Sequence, residues 1–204
     1  MGEPGATPYD YASRRGIRPV TWNEFESLCR RVAQALAVRE IDGVVGIARS
    51  GLIAATQVAL NLRIDLFPVS LSRRRGDRVV ERHPVWLQPP GQALAGRRVA
   101  VVDEIADTGE TLAMAARAVR DAGAAIVVTA ALAAYTWASP APDVLALTTD
   151  ALIVWPWGRY VLEAGRWVLH PEYAEALRLQ GYQNPEGALP NAGGPAAHDR
   201  RPAP

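Results

Sequence analysis

Cysteine is almost missing from this sequence. One cysteine, Cys29, stands in 204 residues, so no disulfide can close within the chain. Its neighbours have helix composition, which predicts a small core hydrophobe rather than a nucleophile. No apolar run approaches the roughly 20 residues that a membrane-crossing helix needs. The amino terminus lacks the charged-then-apolar pattern of a secretory leader. Together these predict a cytoplasmic protein with no membrane partner. The formal net charge is +1, which removes any global electrostatic case for DNA or membrane binding. Lysine is scarce. Apolar residues are not: they make up 49% of the chain, enough for the core of one medium domain with room for a small subdomain.

The most informative stretch is residues 99–112. Val99, Ala100, Val101 and Val102 read as a buried strand of a parallel sheet. Asp103 and Glu104 stand at its carboxyl end. Asp107, Thr108 and Gly109 form a tight turn, and residues 110–122 have helix composition, with Leu112, Ala115, Ala116 and Val119 on one face and Gly123 as the stop. A strand, a polar turn and a helix amino terminus make an anion site from backbone N–H groups and the helix dipole. Thr108 and Thr111 add hydroxyls, and Gly109 admits close approach of the ligand. Three carboxylates beside a phosphate would repel it unless they face hydroxyls or a divalent cation. A sugar phosphate with ribose hydroxyls and Mg²⁺ removes that conflict.

The rest of the chain repeats the strand-turn-helix theme. Residues 1–19 are rich in Gly, Pro and Arg and read as a loose arm. Thr21 and Glu24 have capping-box spacing. Trp22, Phe25, Leu28, Val32 and Leu36 then recur at helical spacing, which predicts that all five face a core. Residues 44–48 form a second strand candidate, followed by Arg49, Ser50 and Gly51 and a helix over 52–62. Residues 66–71 form a third. Residues 72–96 are long and carry Arg73, Arg74, Arg75, Arg78, Arg82 and His83; they read as a lid, a charged hairpin, or both. Residues 125–132 form a fourth strand. Four alternations of strand and helix predict a parallel sheet with right-handed crossovers and a ligand beyond the strands' carboxyl ends. Trp137, Trp155, Trp157 and Trp167 mark an aromatic-rich cap over 137–170. Residues 172–179 read as a short helix. Residues 184–204 read as a disordered tail in which His198 is inert, so truncation after Tyr182 is expected to leave folding unchanged.

Residues 103–111 read Asp-Glu-Ile-Ala-Asp-Thr-Gly-Glu-Thr. This pattern closely resembles the phosphoribosyl pyrophosphate (PRPP) signature of type I phosphoribosyltransferases. The nearest likeness is to the bacterial and archaeal xanthine-guanine and hypoxanthine enzymes, whose hood strand with its Pro-Trp pair is similar to residues 150–157. The resemblance implies an α/β fold, a mostly parallel sheet flanked by helices with a small aromatic-rich hood. It implies a domain over 20–183, with the hood mainly at 137–170. It implies that Arg49, Ser50 and Gly51 bind pyrophosphate, that Asp107, Thr108, Gly109, Glu110 and Thr111 grip the 5′-phosphate, and that Ala106 beside them also binds PRPP. Asp103 and Glu104 would hold the ribose hydroxyls and Mg²⁺, directly or through its water shell. Asp107 would be catalytic, accepting a proton from the acceptor base. Tyr135, Thr136, Leu152 and Ile153 would line the acceptor.

The implied reaction transfers the 5-phosphoribosyl group of PRPP to a nitrogen acceptor, a 6-oxopurine or similar nucleobase, in purine salvage, with release of pyrophosphate. The implied assembly is a homodimer or higher oligomer. One departure stands out: the 6-oxopurine enzymes carry a lysine just after the strand ending near Ala134, and here Tyr135, Thr136 and Trp137 stand there. A PRPP-binding regulator without turnover and a transferase with a non-purine acceptor remain the alternatives. So does an ordinary βα unit with a polar turn.

Overall fold

Strand-forming runs alternate with helical segments from residue 43 to residue 134, and the chain lays them down as a parallel sheet. The structure, a computed structural model, describes residues 14–75, 78–79 and 81–189. His198 and residues 1–13 and 190–204 lie outside the described residues. The elements run β1 (Ile17–Pro19), α1 (Trp22–Ala37), β2 (Gly43–Ala48), α2 (Ser50–Leu62), β3 (Asp65–Ser72), β4 (Arg74–Arg75), β5 (Arg78–Val79), β6 (Val85–Gln88), a 3-10 turn (Gln92–Leu94), β7 (Arg98–Ala106), α3 (Glu110–Asp121), β8 (Ile126–Ala134), β9 (Val144–Thr148), β10 (Leu152–Val154), β11 (Tyr160–Glu163), β12 (Arg166–Leu169) and α4 (Pro171–Leu179). They fall into two units, one over residues 25–150 and one joining residues 14–24 to 151–189.

In the first unit six strands pair in the order β6-β3-β2-β7-β8-β9. All neighbours are parallel except β6, which runs antiparallel to β3. β2 and β7 are central and buried almost throughout, as the near-continuous apolar runs 43–48 and 98–106 require for strands covered on both faces. α3 packs Leu112, Ala115, Ala116 and Val119 on one face of the sheet against Val45, Ile47, Val69, Leu71, Val99 and Val101. α2 covers the opposite face, where Leu52 and Ala55 approach Gly46. α1 begins where Thr21 Oγ1 accepts the Glu24 N–H at 3.2 Å, as the capping-box spacing predicted. The Glu24 carboxylate itself pairs with Arg18. α1 buries Phe25, Leu28, Cys29, Val32, Ala33 and Leu36. Trp22 departs from that stripe: it is 57% exposed because it sits at the first residue of the helix, and its ring meets Trp157 at 6.1 Å.

The second unit is smaller. β1 pairs in parallel with β10, Arg18 opposite Ile153, and β11 and β12 form an antiparallel hairpin. Its core gathers Leu152, Val154, Ala176, Leu177 and Leu189. Trp155 and Trp157 stack at 5.0 Å.

Three expected boundaries move. Residues 17–19, expected in a loose arm, form β1 because β10 offers them an open edge. Residues 144–148, expected in the hood, are the edge strand of the main sheet beside β8. The expected tail is ordered at its start: Leu189 is 3% exposed and its carbonyl accepts from the Arg159 guanidinium at 3.1 Å. A single apolar residue in a Gly-, Pro- and Ala-rich stretch was too little periodicity to mark it.

Candidate active site

β2 hands the chain to β3 on one side, while β7 lies on its other side and passes the chain to β8. The loops that leave β2 and β7 therefore diverge, and a crevice opens between them. This is where ligands bind in open parallel sheets. A cavity of about 440 Å³ occupies it. Its walls are residues 47–51 from the end of β2 into the start of α2, residues 103–112 from the end of β7 into the start of α3, and residues 70–74 with Leu87 from the hairpin side. Both loops singled out in the sequence, residues 49–51 and residues 103–111 with Ile105, meet on this one cavity.

The first loop is minimal. β2 ends at Ala48, α2 begins at Ser50, and Arg49 alone joins them through a cis Ala48–Arg49 peptide. Gly51 lies so close to Asp103 that a Cβ there would overlap the Asp103 carboxylate and sit 3.1 Å from its Cα. That approach sets the Asp103 carboxylate at the amino end of α2, where the helix dipole favours negative charge. Asp103 is 8% exposed and accepts the Glu104 N–H at 2.9 Å. Burial, and next the Glu104 carboxylate beside it, push the Asp103 carboxyl well above the usual carboxylate range. Neither acid is taken up in an ion pair among the described residues.

The second loop closes on a left-handed residue. Gly109 has φ +87° and precedes α3, and no side chain caps that helix. Thr108 Oγ1 accepts the Glu110 N–H at 3.3 Å. The first turn of α3 leaves further N–H groups without partners inside the helix, and they border the cavity. Residues 135–140 brace the loop from outside. Tyr135 N–H donates to Ala106 O at 3.2 Å and Ser139 N–H to Thr108 O at 2.9 Å. Trp137 Nε1–H donates to Asp107 Oδ1 at 3.1 Å.

The long segment after β3 is a hairpin. β4 pairs with β5, β6 returns along β3, the Glu81 N–H donates to Arg73 O, and the Arg73 side chain donates through Nε to Glu81 O. Among the side chains described there, Arg73 and Arg74 line the cavity. His83 Nδ1 meets Glu110 Oε1 at 2.6 Å, which ties the hairpin to the start of α3.

The four residues expected to line the acceptor do not line this cavity. Tyr135 is buried under Trp137, stacked at 4.6 Å. Thr136 donates its hydroxyl to Asp150 Oδ1 at 2.8 Å. Leu152 belongs to the apolar core of the second unit, and Ile153 is 3% exposed. Each belongs to a buried apolar surface or a local hydrogen bond that position alone did not reveal. Sequence reasoning also missed Ser70 and Ser72, whose spacing of two puts both on one side of β3. The contact between Trp137 and Asp107 left no signal at all.

Among the described residues no group of three or more His, Cys, Asp or Glu side chains could hold a metal. The donors present are the Asp103 and Glu104 carboxylates. Mg²⁺ commonly binds through one or two carboxylates with water and substrate phosphate completing its shell, so this pair fits Mg²⁺ arriving with a polyphosphate substrate.

Fold and cavity define an α/β protein with a polar cavity at the switch point of its sheet. A model of the phosphoribosyl transferase domain matches residues 21–163, and the chain belongs to that family. It is a PRPP-dependent phosphoribosyltransferase. None of the curated proteins compared by sequence matches it. Among solved structures it is similar to a purine phosphoribosyltransferase from Pyrococcus horikoshii OT3, with 31% identity over 69% of this chain and 93% of that one, at a TM-score of 0.62. Two further likenesses are of fold alone. One is a hypothetical protein from Neisseria gonorrhoeae solved with bound ppGpp, with 20% identity over 81% of this chain and 96% of that one, at a TM-score of 0.62. The other is the Helicobacter pylori xanthine-guanine-hypoxanthine phosphoribosyltransferase, with 15% identity over 69% of this chain and 93% of that one, at a TM-score of 0.59. No helix among the described residues is long and apolar enough to cross a membrane.

Proposed function

We propose that this enzyme transfers the 5-phosphoribosyl group of PRPP to a 6-oxopurine base and releases pyrophosphate. The observation that carries this is that the loop at 49–51, the acid pair Asp103 and Glu104, and the loop at 106–111 converge on one cavity. The chemistry at each wall supports it. Backbone N–H groups and the hydroxyls of Thr108 and Thr111 suit a terminal phosphate. Asp103 and Glu104 suit the ribose hydroxyls. Arg49, Arg73 and Arg74 suit the pyrophosphate, whose negative charge grows as the C1–O bond breaks. Mg²⁺, when bound beside Asp103 and Glu104, supplies further neutralisation of that charge.

In the step itself the acceptor nitrogen donates its electron pair to C1. The C1–O bond breaks with its pair going to pyrophosphate, and the ring N–H proton passes to the Asp107 carboxylate. Asp107→Asn is therefore expected to lower kcat by about 10²–10⁴ while the fold is kept, the usual scale for a general base. Support for a purine comes from the Pyrococcus enzyme. A non-purine acceptor is the second reading, favoured by one observation: the chain contains no lysine at all, so it offers no ammonium to a purine 6-oxygen.

Pyrophosphate release measured with PRPP, Mg²⁺ and a panel of bases tests both. Turnover with hypoxanthine, guanine or xanthine supports the first reading, and turnover only with other amines supports the second. The setting we infer is a reducing cytoplasm, supported by a buried free thiol. We further infer a homodimer or higher oligomer, supported by Leu162 and Trp167, cross-strand neighbours that are 61% and 65% exposed. Light scattering would read it directly.

A further inference from the structure

We propose that Trp137 is a positioning residue for Asp107: its indole N–H helps to hold the carboxylate in the orientation in which it receives the acceptor's proton. The proposal rests on Asp107 being the base. The donor distance is 3.1 Å, and Asp107 lines the cavity.

The indole is packed on one face, while Trp137 stays 41% exposed. Its ring stacks on Tyr135 with centroids 4.6 Å apart and planes 8° from parallel, and Tyr135 is itself buried. The backbone on either side is tied down. Tyr135 N–H reaches Ala106 O, Ala138 N–H reaches Tyr135 O at 3.1 Å, and Ser139 N–H reaches Thr108 O. Asp150 holds both the N–H and the hydroxyl of Thr136, at 3.1 and 2.8 Å. The Pro140 carbonyl lies where a side chain at Gly109 would go.

Trp137 therefore presents its single N–H from a rigid frame to a carboxylate on a turn. A donor that helps to hold the carboxylate in one rotamer raises the fraction of bound substrate in a reactive geometry. The indole is donor-only and keeps its proton throughout, so it cannot compete for the proton that the base must take. Its N–H is also committed to Asp107 and offers no polar contact to an acceptor. Its effect on the reaction is one of placement.

The test is a double-mutant cycle in the full-length enzyme. Trp137→Phe removes the N–H and keeps a ring on Tyr135. Its kcat is expected to fall about tenfold, with the KM for PRPP, PRPP binding by calorimetry and the melting temperature near those of the parent. In the Asp107→Asn background the same change is expected to alter kcat less than twofold, because there is no base left to place. If Trp137→Phe matches the parent in kcat while Asp107→Asn loses most turnover, the proposal is overturned and Asp107 stands as the base. If the two losses multiply, Trp137 acts independently of Asp107 and the proposal is overturned as well. If Asp107→Asn keeps the parent rate, both assignments fall together. Should Trp137→Phe fold poorly, Tyr135→Leu removes the ring beneath the indole and keeps the N–H. It is then expected to lower kcat in the Asp107 enzyme and not in the Asp107→Asn enzyme, and equal losses in both would overturn the proposal.

Discussion

Gly109 has φ +87°, and a methyl group there would lie 2.5 Å from the Pro140 carbonyl oxygen. Gly109→Ala combines backbone strain with a clash against main chain, and is expected to lower stability by about 1–3 kcal/mol in urea denaturation. Gly51→Ala acts differently, since its methyl group would overlap the Asp103 carboxylate. It is expected to weaken PRPP binding at least tenfold in calorimetric titration, because Asp103 must leave its place at the amino end of α2. Cys29 offers a pH-dependent check. Burial, and next the Glu26 carboxylate, push its thiol up to about 12. A folded value above the unfolded one means that the contribution to stability is complete below about 8.5, the ordinary thiol value. It is lost as pH rises toward 12. At pH 8 iodoacetamide is accordingly expected to leave the folded thiol unmodified and to alkylate it in urea. These residue-level properties differ in how far they could be read ahead. Cys29 was legible from its helical neighbours, and Gly109 from its turn. Gly51 was legible as a site residue, but its contact with Asp103 depends on α2 and β7 meeting, which no local pattern encodes.

At the scale of elements, long apolar runs were the most legible. β2, β7 and β8 are mostly buried, so each shows a largely apolar run that needs no partner to be recognised. α3 declared itself through Leu112, Ala115, Ala116 and Val119, which pack as its period predicted. Short elements were not legible. β1 has three residues and exists only because β10 pairs with it. β9 follows a proline-rich turn, and its composition fits a cap as well as an edge strand. The segment after β3 lay between two expectations and is a hairpin whose Arg73 and Arg74 line the cavity. Arg74→Ala is expected to raise the KM for PRPP about tenfold with kcat and melting temperature little changed, since the pyrophosphate loses one cation while the base and the phosphate loop stay in place. Steady-state kinetics with PRPP as the varied substrate reads this, and an unchanged KM would remove Arg74 from the site.

For the whole molecule, two units divide the work of folding. Leu189 reaches back into the core formed by Leu152, Val154, Ala176 and Leu177, and its carbonyl meets Arg159. Truncation after Tyr182 deletes that side chain. On the scale of a buried Leu→Ala change it is expected to destabilise the chain by about 2–5 kcal/mol, read as a lower melting temperature. An unchanged melting temperature would show that Leu189 contributes nothing. The site as a whole was legible to the extent that it is built from contiguous residues: the loop at 49–51 and the loop at 103–111 were both visible. The hydrogen bond between Trp137 and Asp107 joins residues far apart in the chain, and it stayed out of reach.

Calorimetric titration of PRPP in the presence of Mg²⁺ bears most directly on the cradle at residues 103–111. Saturable binding of one PRPP per chain is expected, with the affinity falling at least a hundredfold in Asp103→Asn/Glu104→Gln while the circular dichroism spectrum is kept. No saturable binding, or equal binding by the folded double variant, would contradict the assignment of that turn and its acid pair to PRPP.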